Sequence, residues 1–259
     1  MKERYGDISV QCDGHVALVE IDRPPHNHAS IELMRRLADA FFDIDTEREL
    51  RASVLMSAGK SFCAGADLVA RSDAVANGIE RVDSLYFGAV RLFSVKKPIV
   101  AAIQGATVGA GLGLALVADF RVVAPEARFV ANFVKLGFHP GFGITYTLPR
   151  LIGEQKAALM CLTGRRIKGD EALAWGLADE LVPLDKLRDA AMALARELAE
   201  NAPLAVEATR ATLRAELAAK VKARTDIELE IQTRLRRTED YGEGVRAVAE
   251  RRPGNFIGA

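Results

Sequence analysis

No sign of charge prevails in this chain: lysine plus arginine number 35 and aspartate plus glutamate number 35. A phosphate backbone or an anionic bilayer therefore finds no excess positive field to hold it, so nucleic-acid and membrane-surface binding by bulk electrostatics are excluded as first readings. Cysteine is scarce. Cys12, Cys63 and Cys161 are odd in number and far apart, which fits neither a disulfide framework nor a zinc site and points to reduced thiols in a cytoplasmic setting. No apolar run approaches the length that crosses a bilayer, and the opening "MKERYGDISV" has no apolar signal core, so a soluble, unexported protein is expected.

What is present is enough apolar material for a large core: 259 residues, 49% of them hydrophobic, set one domain of the larger kind as the default. "HVALVEI" (15 to 21) is a β-branched run stopped by "DRPP", and reads as a strand and a turn. In "SIELMRRLADAFFDI", Leu33, Leu37, Ala40 and Phe41 recur at helical spacing behind Ser30, a candidate N-cap. "ASVLMS" (52 to 57), "PIVAAI" (98 to 103) and "FRVVA" (120 to 124) are short apolar runs typical of strands buried on both faces. Strand and helix alternate through the first two thirds, which predicts an α/β layer structure. From about Leu184 the chain is rich in alanine, leucine and charge, with helical periodicity.

Two glycine-bearing loops follow predicted strands, "GKSFCAGADL" (59 to 68) and "GATVGAGLGLALVAD" (105 to 119). Glycine there lets a backbone approach a ligand closely, and a helix beginning near Ala110 would aim free N–H groups outward. Either loop alone is equally well read as a tight turn. A third stretch, "VANFVKLGFHPGFG" (130 to 143), holds only two side chains able to carry a proton, Lys135 and His139.

The succession "VALVEIDRPPHN", "SFCAGADL", "KPIVAAIQGATVGAGLGLALVADFRVVAPEARF", "LGFHPGFGITYTLPRLIG", "LTGRRIKGDEALAWGLADELVP" and "EGVRAVAERRPGNF" resembles the crotonase superfamily, the enoyl-CoA hydratase/isomerase family, over nearly the whole chain. The resemblance implies an α/β fold in which ββα units form a spiral (1 to 195), followed by a C-terminal helical region (196 to 259) that builds trimers, often paired as hexamers, and covers the site. It implies a coenzyme A thioester as substrate, no permanently bound cofactor and no metal. By motif position, the backbone N–H groups that hold the thioester oxygen fall on Ala66 and Ala110. Backbone around Ala64 and Gly65 is placed near the adenine, and Arg251 stands where a basic residue can reach a phosphate.

The pattern breaks at the acids. The two glutamates with which hydratases of the family place water correspond to Gly113 and Phe133, and the turn aspartate of some isomerases to Gly141. Adding water across a double bond needs positioned acid and base groups, worth roughly a hundred- to ten-thousandfold each. Isomerase, lyase or decarboxylase chemistry through a thioester enolate is thus expected ahead of standard hydration, with a non-catalytic acyl-CoA-binding protein as the alternative. Proton transfer then falls to His139, which could instead hold a backbone carbonyl, or to Tyr86, which could instead be a hydrogen-bonded core residue. Asp67 and Asp119 are expected to brace loops. Asp73, Glu80 and Asp83, in the loop over residues 71 to 84, are further candidates. His26 and His28 lack ligand partners at metal spacing. Phe129, Phe133, Phe138 and Phe142 suggest an apolar pocket.

Overall fold

The computed structural model describes residues 1–66 and 84–259, the side chain of Ser84 excepted; Asp67, Asp73, Glu80 and Asp83 lie outside the described residues. Two sheets are built by a chain that visits them in turn. The larger runs β1 (Ile8–Asp13), β2 (Val16–Ile21), β3 (Ala52–Ser57), β5 (Ile99–Ile103), β7 (Phe120–Val123) and β10 (Glu180–Leu181), in that spatial order. The smaller runs β4 (Ser61–Cys63), β6 (Ala106–Val108), β8 (Arg128–Val130) and β9 (Arg166–Lys168). Among the described residues the β1–β2 and β8–β9 pairings are antiparallel and the other pairings are parallel. Each large-sheet strand β3, β5 and β7 is followed by a small-sheet strand, which is the expected spiral of ββα units.

The apolar runs of the large sheet sort by parity, as a two-residue period requires. Ala17, Val19, Ile21, Leu55, Ala101 and Val123 join the main core. Val16, Leu18, Ala52, Val54, Val100, Ala102 and Val122 face the opposite way, onto Leu187, Ala191, Met192 and Ala195. Those four belong to α7 (Leu187–Ala199), so residue 195 lies inside a helix packed on the sheet.

On the core side, α1 (Ile31–Thr46) buries Leu33, Met34, Leu37, Phe41 and Ile44, and Ser30 Oγ accepts a hydrogen bond from Leu33 N. Each of those side chains contributes about 1.5–3 kcal/mol of burial and the cap about 1 kcal/mol. Next to it lies α2 (Ser84–Leu92), in which Gly88 admits the backbone of Met34 and Arg35: a Cβ there would sit 3.0 Å from each. The remaining helices are α3 (Ala110–Ala115), α4 (Ile144–Ile152), α5 (Glu154–Thr163), α6 (Gly169–Trp175), α8 (Pro203–Leu213), α9 (Leu217–Leu235) and α10 (Glu239–Ala249). Asp119 joins α8 to the sheet: it accepts from Ile99 N at 2.9 Å, from Arg210 Nε at 2.9 Å and from Arg214 Nη1 at 2.6 Å. That is the bracing role its position suggested. Among the described residues no helix is long and apolar enough to cross a membrane.

Candidate active site

The site forms where two parallel strands end side by side. Ser61 pairs with Ala106 and Cys63 with Thr107, so the loop after β4 and the loop after β6 leave the sheet at the same edge. Their glycines are fixed by proximity. A Cβ on Gly65, whose φ is +95°, would lie 3.0 Å from Val108 O, and one on Gly111 would press into the Cys63 carbonyl, 2.8 Å from its carbon. Gly109, at φ +53°, turns the chain into α3, a conformation that glycine adopts without steric cost.

Between these loops lies a cavity lined by Ala64, Gly65, Ala66, Gly109 and Ala110, with Tyr86, Asn132, Phe133, Phe138 and Arg236 among its other walls. Water-sized molecules have about 70 Å³ there, against roughly 10–15 Å³ that one water requires. Among the described residues, neither Ala66 N nor Ala110 N donates to a protein acceptor. Ala110 is the first residue of a helix, whose leading N–H groups have no intrahelical partner. Because α3 has only six residues, local N–H groups, rather than a long helix dipole, carry the polarity at this edge.

Two histidines steady the first loop. His26 O accepts from Ala64 N at 2.9 Å, and His28 Nδ1 lies 3.1 Å from Gly65 O. Asn27, fully buried, donates to Ala58 O and Ser61 O. Among the described residues no cluster of three His, Cys, Asp or Glu side chains could hold a metal ion.

The structure separates the two proton-transfer candidates. Tyr86 lines the cavity and donates its hydroxyl hydrogen to Gln232 Oε1 at 3.0 Å. His139 is not among the described lining residues; its Nδ1 lies 2.8 Å from Pro140 O, and its own carbonyl accepts from Gln232 Nε2 at 2.7 Å. The imidazole is thus within hydrogen-bond distance of a backbone carbonyl of its own turn. Arg251 is exposed at the end of α10 with φ +56° and is likewise not among the cavity's described lining residues. Of the four phenylalanines only Phe133 and Phe138 line the cavity; Phe129 and Phe142 are core.

The positions that lack acids are filled by neighbours. At Gly113 a Cβ would stand 2.6 Å from Phe142 Cβ and closer still to its ring. At Gly141 it would stand 2.5 Å from Tyr86 Cζ and 2.7 Å from Gln232 Nε2. Neither glycine leaves room for a carboxylate on its own Cα. Phe133, the third position, is itself a cavity wall.

Sequence reasoning missed one side of the site. Glu228 and Gln232 on α9 and Arg236, its C-cap, recur every four residues and so share a face, which lies against residues 138–145. Glu228 is fully buried and accepts from Gly143 N at 2.7 Å, Thr145 N at 3.0 Å and Thr145 Oγ1 at 2.6 Å. Burial pushes its carboxyl above the ordinary range, against the pull of those three donors. Arg236 Nη2 lies 3.4 Å from Gln232 Oε1, and its guanidinium sits 5.7 Å from the centre of the Phe138 ring. The four-residue recurrence was the available signal.

Comparison with known proteins gives one family. Residues 11–259 match the family described as enoyl-CoA hydratase/isomerase. "Probable enoyl-CoA hydratase EchA14" of Mycobacterium tuberculosis is 39% identical over 82% of this chain and 83% of its own length. Carnitinyl-CoA dehydratase of Salmonella agona is 33% identical over 93% of this chain and 94% of its own. The crystal structure of an enoyl-CoA hydratase/isomerase from Pseudoalteromonas atlantica superposes with a TM-score of 0.88 at 28% identity, covering 97% of this chain and all of that one. The alternating sheets, the paired strand-end loops and these likenesses make the chain a member of the enoyl-CoA hydratase/isomerase family, the crotonase superfamily.

Proposed function

We propose that the protein is an enzyme acting on short acyl-CoA thioesters through an enolate, with Ala66 N and Ala110 N as the donors to the thioester oxygen and Tyr86 as the proton-transfer group. The observation that carries this reading is the composition of the cavity: two strand-end loops present backbone N–H groups, and the described lining contains no carboxylate. An oxygen that gathers negative charge is stabilised most by donors already in place, and removing one such donor typically costs about 2.7–4 kcal/mol of transition-state stabilisation. Main-chain donors suit the task because no substitution other than proline removes them.

With Gly113 and Phe133 unable to accept or give a proton, water addition by a pair of acids is not available to this site. Migration of a double bond needs one group that takes a proton from carbon to form the enolate and returns it at another carbon, and decarboxylation forms the enolate by releasing carbon dioxide and needs one group that gives carbon a proton. Tyr86 supplies that proton in this reading, Gln232 holding the phenol in place at rest. The coenzyme A portion lies outside the cavity, with Ala64 and Gly65 at its nucleotide end and Arg251 reaching a phosphate from a neighbouring tail of a trimer or hexamer.

Exchange of the α-hydrogen of a short acyl-CoA in heavy water tests the proposal by mass spectrometry. The wild type is expected to exchange, and Tyr86→Phe to slow exchange by roughly a hundred- to ten-thousandfold. Binding without exchange in the wild type would make the protein a non-catalytic acyl-CoA binder; an unchanged rate in Tyr86→Phe would remove Tyr86 from the mechanism.

A further inference from the structure

Building on the reading that Ala66 N holds the thioester oxygen, we propose that His28 is a positioning residue for that donor, aiming and polarising the Gly65–Ala66 peptide. The carbonyl of this peptide unit is Gly65 O and its N–H is Ala66 N. Because the unit is planar and trans, the two point in opposite directions. Gly65 O is held by the segment just before α1: it accepts from Ala29 N at 2.9 Å, and His28 Nδ1 lies 3.1 Å from it. A carbonyl oxygen only accepts, so Nδ1 carries the ring hydrogen and donates it. Both lone pairs of the oxygen are then engaged, and Ala66 N–H is directed away from residues 28 and 29, in a loop whose Gly65 and Ala66 line the cavity.

One donor is enough to satisfy a buried carbonyl, and Ala29 N supplies it through the isolated parallel bridge between Ala29 and Ala66. The second bond, from the imidazole, therefore bears on the other end of the peptide. Hydrogen bonds in series strengthen one another by roughly 10–30% each, so a donor on Gly65 O makes Ala66 N–H a stronger donor to an oxygen that gathers charge. The ring is itself held for this task. It packs against His26 with ring centres 5.1 Å apart, its own carbonyl accepts from Arg23 Nη1 at 2.9 Å, and His26 O accepts from Ala64 N at 2.9 Å. Residues 26 to 29 thus grip the loop at Ala64 and at Gly65, and leave Ala66 N to the ligand.

Isotope-edited infrared difference spectra of butyryl-CoA labelled at the thioester carbonyl test the assignment on the full-length protein, with binding and α-hydrogen exchange measured alongside. In the wild type the carbonyl band is expected to move to lower frequency on binding, as donors draw charge onto the oxygen. In His28→Phe, which keeps a ring, and in His28→Ala, which removes it, part of that shift should be lost. Exchange should slow about three- to tenfold, the fold-change of one neutral hydrogen bond, with a smaller change in the dissociation constant. His28→Asn, whose amide nitrogen branches from Cγ as Nδ1 does, should recover both band and rate. A band and rate unchanged in His28→Phe and His28→Ala, or a His28→Asn no better than His28→Ala, would overturn the role of His28 while leaving the two-amide site intact. Failure of butyryl-CoA to bind the wild type, or binding with no shift of the band, would overturn the site itself, and this inference with it.

Discussion

At the scale of single residues, what matters most is how side chains occupy the places that acids vacate. Phe142, held at φ +65°, lays its ring where any side chain on Gly113 would have to go. Gly113→Ala is therefore expected to overpack the core and cost about 1–3 kcal/mol in chemical denaturation. The same substitution in a Phe142→Ala background should cost clearly less, because the colliding ring is gone; equal costs in both backgrounds would show that the two sites do not interact. Cys63 provides a second residue-level test. Burial pushes its thiol up to about 11, so at pH 8 it is neither ionised nor reachable, although it immediately precedes the loop of Ala64–Ala66. A disulfide-exchange reagent should label exposed Cys12 rapidly in the native protein and Cys63 only on unfolding. Rapid native labelling of Cys63 would mean that the loop opens far more often than its hydrogen bonds imply.

At the scale of elements, α9 shows both what the sequence made legible and what it hid. Strands β2, β3, β5 and β7 could be read because runs buried on both faces are apolar throughout, and α1 because Ser30 and a 3.6-residue period agree. The two glycine loops could be read because Gly65 and Gly111 answer to a local demand, the close approach of two backbones. The small-sheet strands β4, β6 and β8 have three residues each, too few to display a period, so in the sequence they merge with the loops they carry. Helix α9 was recognised as a helix but not as a wall of the site. Glu228, Gln232 and Arg236 resemble a solvated stripe, and only their long-range partners in the 139–145 turn and on α2 reveal otherwise. Glu228→Gln tests this: the amide keeps one acceptor oxygen where Gly143 N, Thr145 N and Thr145 Oγ1 share two. A loss of about 1–3 kcal/mol is expected, the cost of a buried donor left without a partner. The pH dependence has a definite sign. Because burial raises the Glu228 carboxyl in the folded state, the folded chain holds its proton at pH values where the unfolded chain has released it. Wild-type stability relative to Glu228→Gln should therefore decline as pH rises from about 4.5 through the folded-state value, and a gap that widens instead would contradict it.

At the scale of the whole molecule, the family fold is kept, and the proposed chemistry does without the two glutamates. Helices α8 and α9 leave Leu204, Leu213 and Ile227 exposed, apolar surface of the kind that the proposed trimer or hexamer would cover, and light scattering should return three or six chain masses; a monomer would leave Arg251 with no neighbouring nucleotide to reach. The chemistry is the sharper test. Crotonyl-CoA offers the site a conjugated double bond and a thioester oxygen that Ala66 N and Ala110 N could hold, so binding and polarisation are expected. Completing the reaction would require one group to activate water and another to protonate carbon, and Gly113, Phe133 and Gly141 supply neither. Two missing groups at roughly a hundredfold or more each predict hydration at least about ten-thousandfold slower than in a family member that carries both glutamates, followed as loss of enoyl absorbance. The same preparation should exchange the α-hydrogen of a saturated short acyl-CoA, a step in which the two amides hold the enolate oxygen while Tyr86, as phenolate, takes the hydrogen and, as phenol, returns deuterium from solvent. Fast hydration would mean that an acid reaches this cavity after all, and the enolate reading, built on a described lining without a carboxylate, would fall.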